Sequence, residues 1–172
     1  MWWVKVLNGV TKGQLVETES KMSLVSARGL FVGRFDHALD PKRRITIPAT
    51  WREIMGNAGT VYVIPDPYVK CLNLLPVAEM DVRLEKLRQK SLFDPGAGEA
   101  LRVIGENSEQ LQWDVQGRIR IRDRLLAFAD LEGQVVMIGA VNRVQLWSPN
   151  LRPEDATVDQ GRLAMAVQQV SF

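Results

Sequence analysis

An internal repeat constrains the fold of this chain more than any other sequence feature. Shifting the sequence by 74 residues, without a gap, places residues 40–47 on residues 114–121. Identical residues recur at this offset over a longer stretch: Asp40/Asp114, Arg44/Arg118, Ile45/Ile119, Ile47/Ile121, Gly59/Gly133, Val61/Val135, Ile64/Ile138 and Leu72/Leu146. Since one copy of a repeated unit rarely buries its apolar face alone, we predict that the two copies share one core.

Both copies predict the same order of elements, namely strand, short helix, strand, strand. Isoleucines alternate with arginines over residues 118–122, the period of two expected for a strand with one apolar face and one cationic face. The elements predicted in the first copy are strands at 30–35, 44–47, 60–64 and 70–75 and a helix at 49–55. Those predicted in the second copy are strands at 118–122, 134–138 and 144–147 and a helix at 123–129, N-capped by Asp123.

Helical patterns lie outside the two copies. Val77, Met80, Leu84 and Leu87 form a stripe that predicts a helix packed on the β core, and a second helix is predicted from Pro95 to about residue 104. The predicted segments are an N-terminal arm at 1–28 that lacks stable order, a first repeat at 29–76, a helical linker at 77–106, a second repeat at 107–149 and a C-terminal tail at 150–172. In the tail, Leu163, Val167 and Val170 again have helical spacing.

Composition narrows the function classes. The net charge of +2 over 172 residues excludes a general polycation, so any basic surface must be local. The single cysteine, Cys71, cannot form an internal disulfide and is predicted to be a buried small hydrophobe in a reducing compartment. His37 is the only histidine, and the sequence has no phosphate-binding glycine motif. We therefore predict a cytoplasmic protein that is not an enzyme, with no cofactor, no metal and no membrane span.

The repeated signature resembles a known family. Segments 40–44 and 114–118 resemble the twin Asp-x-x-Gly-Arg signatures of the MraZ family, bacterial transcriptional regulators with two AbrB-like halves. Supporting phrases lie at 31–33, 125–129 and 136–147, so the resemblance covers about residues 30–149. The first copy departs from the family pattern because Arg43 stands where a glycine is usual, and glycine alone reaches positive φ without strain.

The resemblance implies both an architecture and a partner. The implied fold is α+β, a swapped-hairpin AbrB-like double-ψ β-barrel built from two tandem repeats with a helical connection between them. The implied assembly is a homo-oligomeric ring. The implied partner is double-stranded promoter DNA that carries short direct repeats, including the protein's own promoter and that of the division and cell-wall gene cluster. A nucleoid-associated location follows from that partner.

The candidate DNA-binding residues are Lys42, Arg43, Arg44 and Arg118. Lysine engages phosphate as a point charge, whereas arginine forms bidentate contacts with phosphate or with guanine. Asp40 and Asp114 would repel phosphate, so we predict that they pair with Arg44 and Arg118 and fix the turns.

The second copy of the signature leaves several interpretations open. The arginines over residues 118–122 could bind DNA, line a subunit interface or form a solvated edge that prevents sheet-to-sheet aggregation. The alternative function is an oligomeric assembly protein whose basic strands contact protein partners.

Overall fold

The structure is a computed structural model that describes residues 29–56, 59–88, 95–152 and 159–170. The predicted N-terminal arm at 1–28 lies outside the described residues. The described chain has an α+β fold with an antiparallel sheet, as predicted at this level. The swapped-hairpin double-ψ barrel and the division into five segments remain predictions.

Eight strands and five helices are present in the described ranges. The strands are β1 (Arg34–Ala38), β2 (Arg44–Thr46), β3 (Thr60–Pro65), β4 (Cys71–Pro76), β5 (Glu109–Gln112), β6 (Arg118–Arg120), β7 (Gln134–Gly139) and β8 (Val144–Trp147). The helices are α1 (Ala49–Met55), α2 (Val77–Arg88), α3 (Pro95–Asn107), α4 (Asp123–Phe128) and α5 (Gln160–Val170). None of these helices is long and apolar enough to cross a membrane.

Strand pairing interleaves the two halves of the chain. Six strands form one antiparallel sheet in the order β1-β7-β8-β4-β3-β5, and β2 pairs with β6 in a separate two-stranded ribbon. The first half contains β1–β4 and the second half contains β5–β8. The first strand of each half pairs with the third strand of the other half, β1 with β7 and β5 with β3. β4 and β8 also pair across the halves. Each half therefore completes the sheet of the other.

The main hydrophobic core lies between the halves, as the repeat predicts. Ile45, Ile47, Ile119 and Ile121 project inward from the two signature segments and are almost fully buried. The Trp51 ring meets Phe31 and Phe35 edge-on, with ring centroids 6.2 and 4.8 Å apart. A single buried cluster contains all four isoleucines and residues from both halves, so neither copy has a separate core.

The start of the first copy differs from the prediction. The first strand spans Arg34–Ala38 rather than 30–35, because Gly33 adopts φ of +85° and interrupts the extended run. Phe31 instead forms an isolated antiparallel bridge to Val141.

The second copy brings two further corrections. Asp123 is the first residue of α4 and not its N-cap; Arg122 occupies the cap position and makes no capping side-chain bond. β5 was not predicted, because its sequence Glu-Gln-Leu-Gln resembles a polar loop. Its pairing with β3, and not its composition, makes it a strand.

Cys71 and the linker helix agree with their predictions. The Cys71 side chain is buried, and this desolvation raises the pKa of its thiol to about 12, so the thiol stays protonated. The α2 side chains Glu79 and Arg83 form an i,i+4 ion pair at 2.8 Å. Met80 of the predicted stripe is buried beneath α2, whereas Leu84 remains 37% exposed.

Candidate nucleic-acid interface

The first signature turn is organised by the Asp40 carboxylate. Its Oδ1 accepts hydrogen bonds from the backbone N–H groups of Lys42 (2.8 Å) and Arg44 (2.9 Å). Its Oδ2 lies 2.6 Å from both Nε and Nη2 of Arg44, so one carboxylate oxygen meets two guanidinium nitrogens. The predicted pairing of Asp40 with Arg44 is confirmed. Arg44 therefore serves first to hold the turn that starts β2.

The second turn repeats this geometry around Asp114. Oδ1 accepts from the backbone N–H groups of Gln116 (2.9 Å) and Arg118 (3.0 Å), and Oδ2 meets Nε and Nη2 of Arg118 at 2.8 and 2.6 Å. The predicted pairing of Asp114 with Arg118 is also confirmed. The two turns thus place two Asp–Arg pairs at corresponding ends of β2 and β6.

Arg43 adopts the conformation that its glycine counterpart adopts in the second turn. Arg43 has φ of +61° and Gly117 has φ of +77°. The turn therefore tolerates a side chain at Arg43, at a cost of about 1–2 kcal/mol for a left-handed residue. At Gly117 an added Cβ would lie 2.5 Å from Nε of Arg52, so the Arg52 side chain would have to move to admit it. The departure from the family pattern changes the side chain and not the turn.

The turn carboxylates have depressed pKa values. At Asp114, hydrogen bonds from Arg118, with a further one from the backbone of Gln116, lower the pKa to about 2 from an ordinary 3.8. At Asp40, burial acts to raise the pKa, but the hydrogen bonds from Arg44 and Lys42 outweigh it and the net shift is downward. Both groups are thus carboxylates at neutral pH, as the ion pairs require.

The lowered Asp114 pKa predicts an acid-sensitive contribution to stability. Because the folded pKa lies below the unfolded value, the contribution is fully present above about pH 4 and is lost as the pH falls toward 2. We expect an Asp114→Asn variant to have a lower melting temperature at pH 7 and to approach the wild type near pH 2. Thermal melts across this range measure the effect. Asp81→Asn, at an exposed position of α2, is the control, and an equal gap at every pH would contradict the assignment.

The ribbon formed by β2 and β6 carries its charge on one face. Ile45 pairs with Ile119 toward the core, while Arg44 lies opposite Arg120 and Thr46 opposite Arg118. Directly opposed like charges destabilise an antiparallel pair. The two turn aspartates reduce this repulsion, and Nη1 of Arg44 also lies 3.9 Å from Oδ2 of Asp114.

The cations of this face differ in how far they are engaged. Arg44 and Arg118 are held by the turn aspartates, with about a quarter of each side chain exposed. The exposed side chains of Lys42 and Arg120 form no ion pair with any described residue. Arg43 lies 3.6 Å from the exposed carboxylate of Asp123, a weak pair.

Of the predicted DNA-binding residues, Lys42 and Arg43 are thus available to a ligand. Arg44 and Arg118 are partly engaged by the turn aspartates. Arg120 has an available cationic side chain; the sequence left its role open among the arginines over residues 118–122 and did not place it among the four candidates. The alternation of residues could have identified it, because Arg120 lies between two isoleucines, Ile119 and Ile121, and alternate residues of a strand face opposite sides.

These residues can bind a polyanion. An antiparallel ribbon with a cationic face matches the width of the DNA major groove, and its arginines can reach phosphates or guanine edges. No cluster of three His, Cys, Asp or Glu side chains with metal-site geometry occurs in the described ranges. The chemistry of the ribbon is therefore that of charge pairing and hydrogen-bond donation.

Curated relatives of this chain share one description. The chain is 35% identical over 120 residues to the transcriptional regulator MraZ of Thermomicrobium roseum, an alignment that covers 70% of this chain and 82% of the relative. The chain belongs to the MraZ family. Similarity to the transcriptional regulator MraZ of Clostridium acetobutylicum reaches 28% identity over 145 residues, 83% of this chain and the full length of that relative. MraZ of Clostridium beijerinckii is 34% identical over 119 residues. No protein-family model matches the chain.

The comparisons confirm the resemblance carried by the twin signatures. The MraZ relatives are named as transcriptional regulators and not as enzymes. In this MraZ-family chain, the cationic ribbon is therefore the surface to examine for a regulatory contact.

Proposed function

We propose that this chain is a sequence-specific DNA-binding transcription regulator that binds short direct repeats in promoter DNA as a ring oligomer. The observation that supports it most is the β2–β6 ribbon, which presents Lys42, Arg43 and Arg120 to solvent above a rigid base of buried isoleucines. Membership of the MraZ family, whose named members are transcriptional regulators, supports the same function. The target promoters are those of the division and cell-wall gene cluster, including its own, and the location is the cytoplasm and nucleoid.

The charge distribution explains why an oligomer would be needed. With a net charge of +2, one subunit offers only a local set of phosphate contacts and would bind DNA weakly. In a ring, binding of the first ribbon makes contacts by later ribbons intramolecular, so the affinities combine. Repeats at a fixed spacing would match ribbons at a fixed spacing. Specificity would then arise from the spacing of the repeats together with direct contacts to bases.

A salt-dependent mobility shift tests this proposal. We expect a promoter fragment with direct repeats to bind, and the logarithm of the affinity to fall steeply with the logarithm of the salt concentration, because phosphate contacts release counterions. A fragment of equal length with scrambled repeats is the control. Absence of a shift at low salt would favour the alternative, an assembly protein on the same fold whose basic strands contact protein partners. Equal affinity for both fragments would remove the claim of repeat specificity.

A further inference from the structure

A large apolar groove lies on the side of the molecule formed by the linker helices. It has a volume of about 1100 Å³ and lies between α2 and α3 and the strands β3, β4 and β5. Its apolar lining includes Tyr62, Leu75, Met80, Leu84, Leu101 and Ile104. This volume slightly exceeds the ~300–1,000 Å³ usual for small-molecule pockets. A groove of this size and character suits the apolar face of a helix.

The C-terminal helix α5 has an apolar face that no described part of its own chain covers. Every residue from 159 to 170 is exposed, including Leu163, Val167 and Val170, which share one face. Asp159 caps the helix, since its Oδ1 accepts the backbone N–H of Arg162 at 2.9 Å. A helix of 11 residues is marginal in water without tertiary packing. Its persistence therefore calls for a partner surface.

The groove lining contains one buried carboxylate that a cation of the helix could meet. Glu109 lies in the groove lining with its side chain 3% exposed, and neither carboxylate oxygen has a hydrogen-bond partner among the described residues. Arg122 and Arg124 approach Oε1 only at ion-pair distances of 3.3 and 3.7 Å. The only charge within α5 is Arg162, beside Leu163. A buried carboxylate without hydrogen bonds is costly, and a guanidinium from an incoming helix would relieve that cost.

We propose that α5 of one copy docks its Leu163, Val167 and Val170 face in the α2–α3 groove of a neighbouring copy, with Arg162 donating to Glu109. The described residues of one chain leave both the helix and the groove uncovered, and the pairing of Arg162 with the buried Glu109 carboxylate favours a second copy as the occupant. The contact joins two different surfaces, and such a heterologous contact produces a closed ring when its rotation closes. This inference rests on the oligomer of the proposed function and assigns the contact that forms it.

Paired substitutions in the full-length chain test the contact. Val167→Asp places a charge on the docking face of α5, and Ile104→Glu places one in the groove; each is expected to reduce the ring mass to that of a monomer in light-scattering chromatography. Gln168→Asp, on another side of α5, and Val82→Glu, on α2 outside the groove, are the matched controls and are expected to keep the full mass. Far-ultraviolet circular dichroism checks that each variant is folded.

Mixing the two defective variants separates docking from a general structural defect. The Val167→Asp chain keeps an intact groove and the Ile104→Glu chain keeps an intact helix, so a 1:1 mixture is expected to form a heterodimer with one working contact. The inference is overturned if the Val167→Asp variant keeps the full ring mass, if the wild type is a monomer, or if the 1:1 mixture forms no heterodimer. Promoter binding by the same samples is measured separately. If the variants lose the ring but the wild-type ring does not bind DNA, the proposed function is overturned and the docking contact stands.

Discussion

Replacing Lys42 and Arg120 with glutamine and Arg43 with glycine is expected to weaken promoter binding by roughly 150-fold per occupied repeat. These cations are exposed and lie on and beside the β2–β6 ribbon. Each contact with DNA is worth about 1 kcal/mol, so three amount to about 3 kcal/mol. The salt slope should fall by about three for each repeat, because about one counterion is released per phosphate contact. Titrations at several salt concentrations provide both quantities.

The same triple variant is expected to fold at least as stably as the wild type. Glycine removes the left-handed strain at Arg43, worth about 1–2 kcal/mol, and adds about 0.5–1 kcal/mol of backbone entropy cost. Removing Arg120 also removes its repulsion with Arg44 on the opposite strand. Loss of affinity with no loss of stability is the signature of residues retained for binding.

A control with the same net charge loss makes the result specific. Lys70, Lys86 and Arg102 lie away from the ribbon, and their replacement by glutamine removes three positive charges. If this control weakens binding as strongly as the ribbon variant, the effect is one of total charge and the ribbon is not the interface. Arg44→Ala is a poorer probe, because it also breaks the turn held by Asp40.

Gly139→Ala is expected to lower the free energy of unfolding by about 3 kcal/mol. An added Cβ would lie 2.5 Å from the carbonyl carbon and oxygen of Phe31 and 2.6 Å from the amide nitrogen of Val32. Overpacking usually costs about 1–3 kcal/mol, and here the obstructing atoms belong to the backbone and cannot rotate away. Moving them would also break the bridge between Phe31 and Val141.

Chemical denaturation compares this variant with Gly133→Ala. An added methyl at Gly133 meets no atom within 4 Å, so its free energy of unfolding should stay within about 1 kcal/mol of the wild type. Equal losses in the two variants would show that the close approach of Phe31 to Gly139 does not limit the space there. A loss of stability in Gly139→Ala but not in Gly133→Ala would show that the segment before β1, at Phe31 and Val32, is held against the end of β7.

Much of the local structure was predictable, for identifiable reasons. The helix at 49–55 and the strand at 144–147 match the predicted bounds, because Pro48, Gly56 and Pro149 limit them on the chain itself. The aspartate–arginine pairs were predictable because both partners lie within five residues of one another. β5 was not, because its pairing partner β3 is more than forty residues away and its own side chains are mostly polar.

The candidate site was predictable in location but not in the role of each cation. The sequence predicts cationic side chains at both signature turns, yet it ranked Arg44 above Arg120. Which arginine is engaged depends on the distance to a carboxylate in the folded turn, and which is available depends on the pairing of β2 with β6.

The sequence by itself determined the family, the order of the elements other than β5, the turn-forming ion pairs and the shared core. These follow from residues close together in the chain and from a repeat that is visible without coordinates. Only the tertiary structure decided that the halves exchange strands and that Arg120 faces solvent beside Lys42 and Arg43. It also decided that a groove and a helix both remain uncovered by the described residues. Each of these depends on contacts between residues far apart in the chain, where local patterns carry no information about distance.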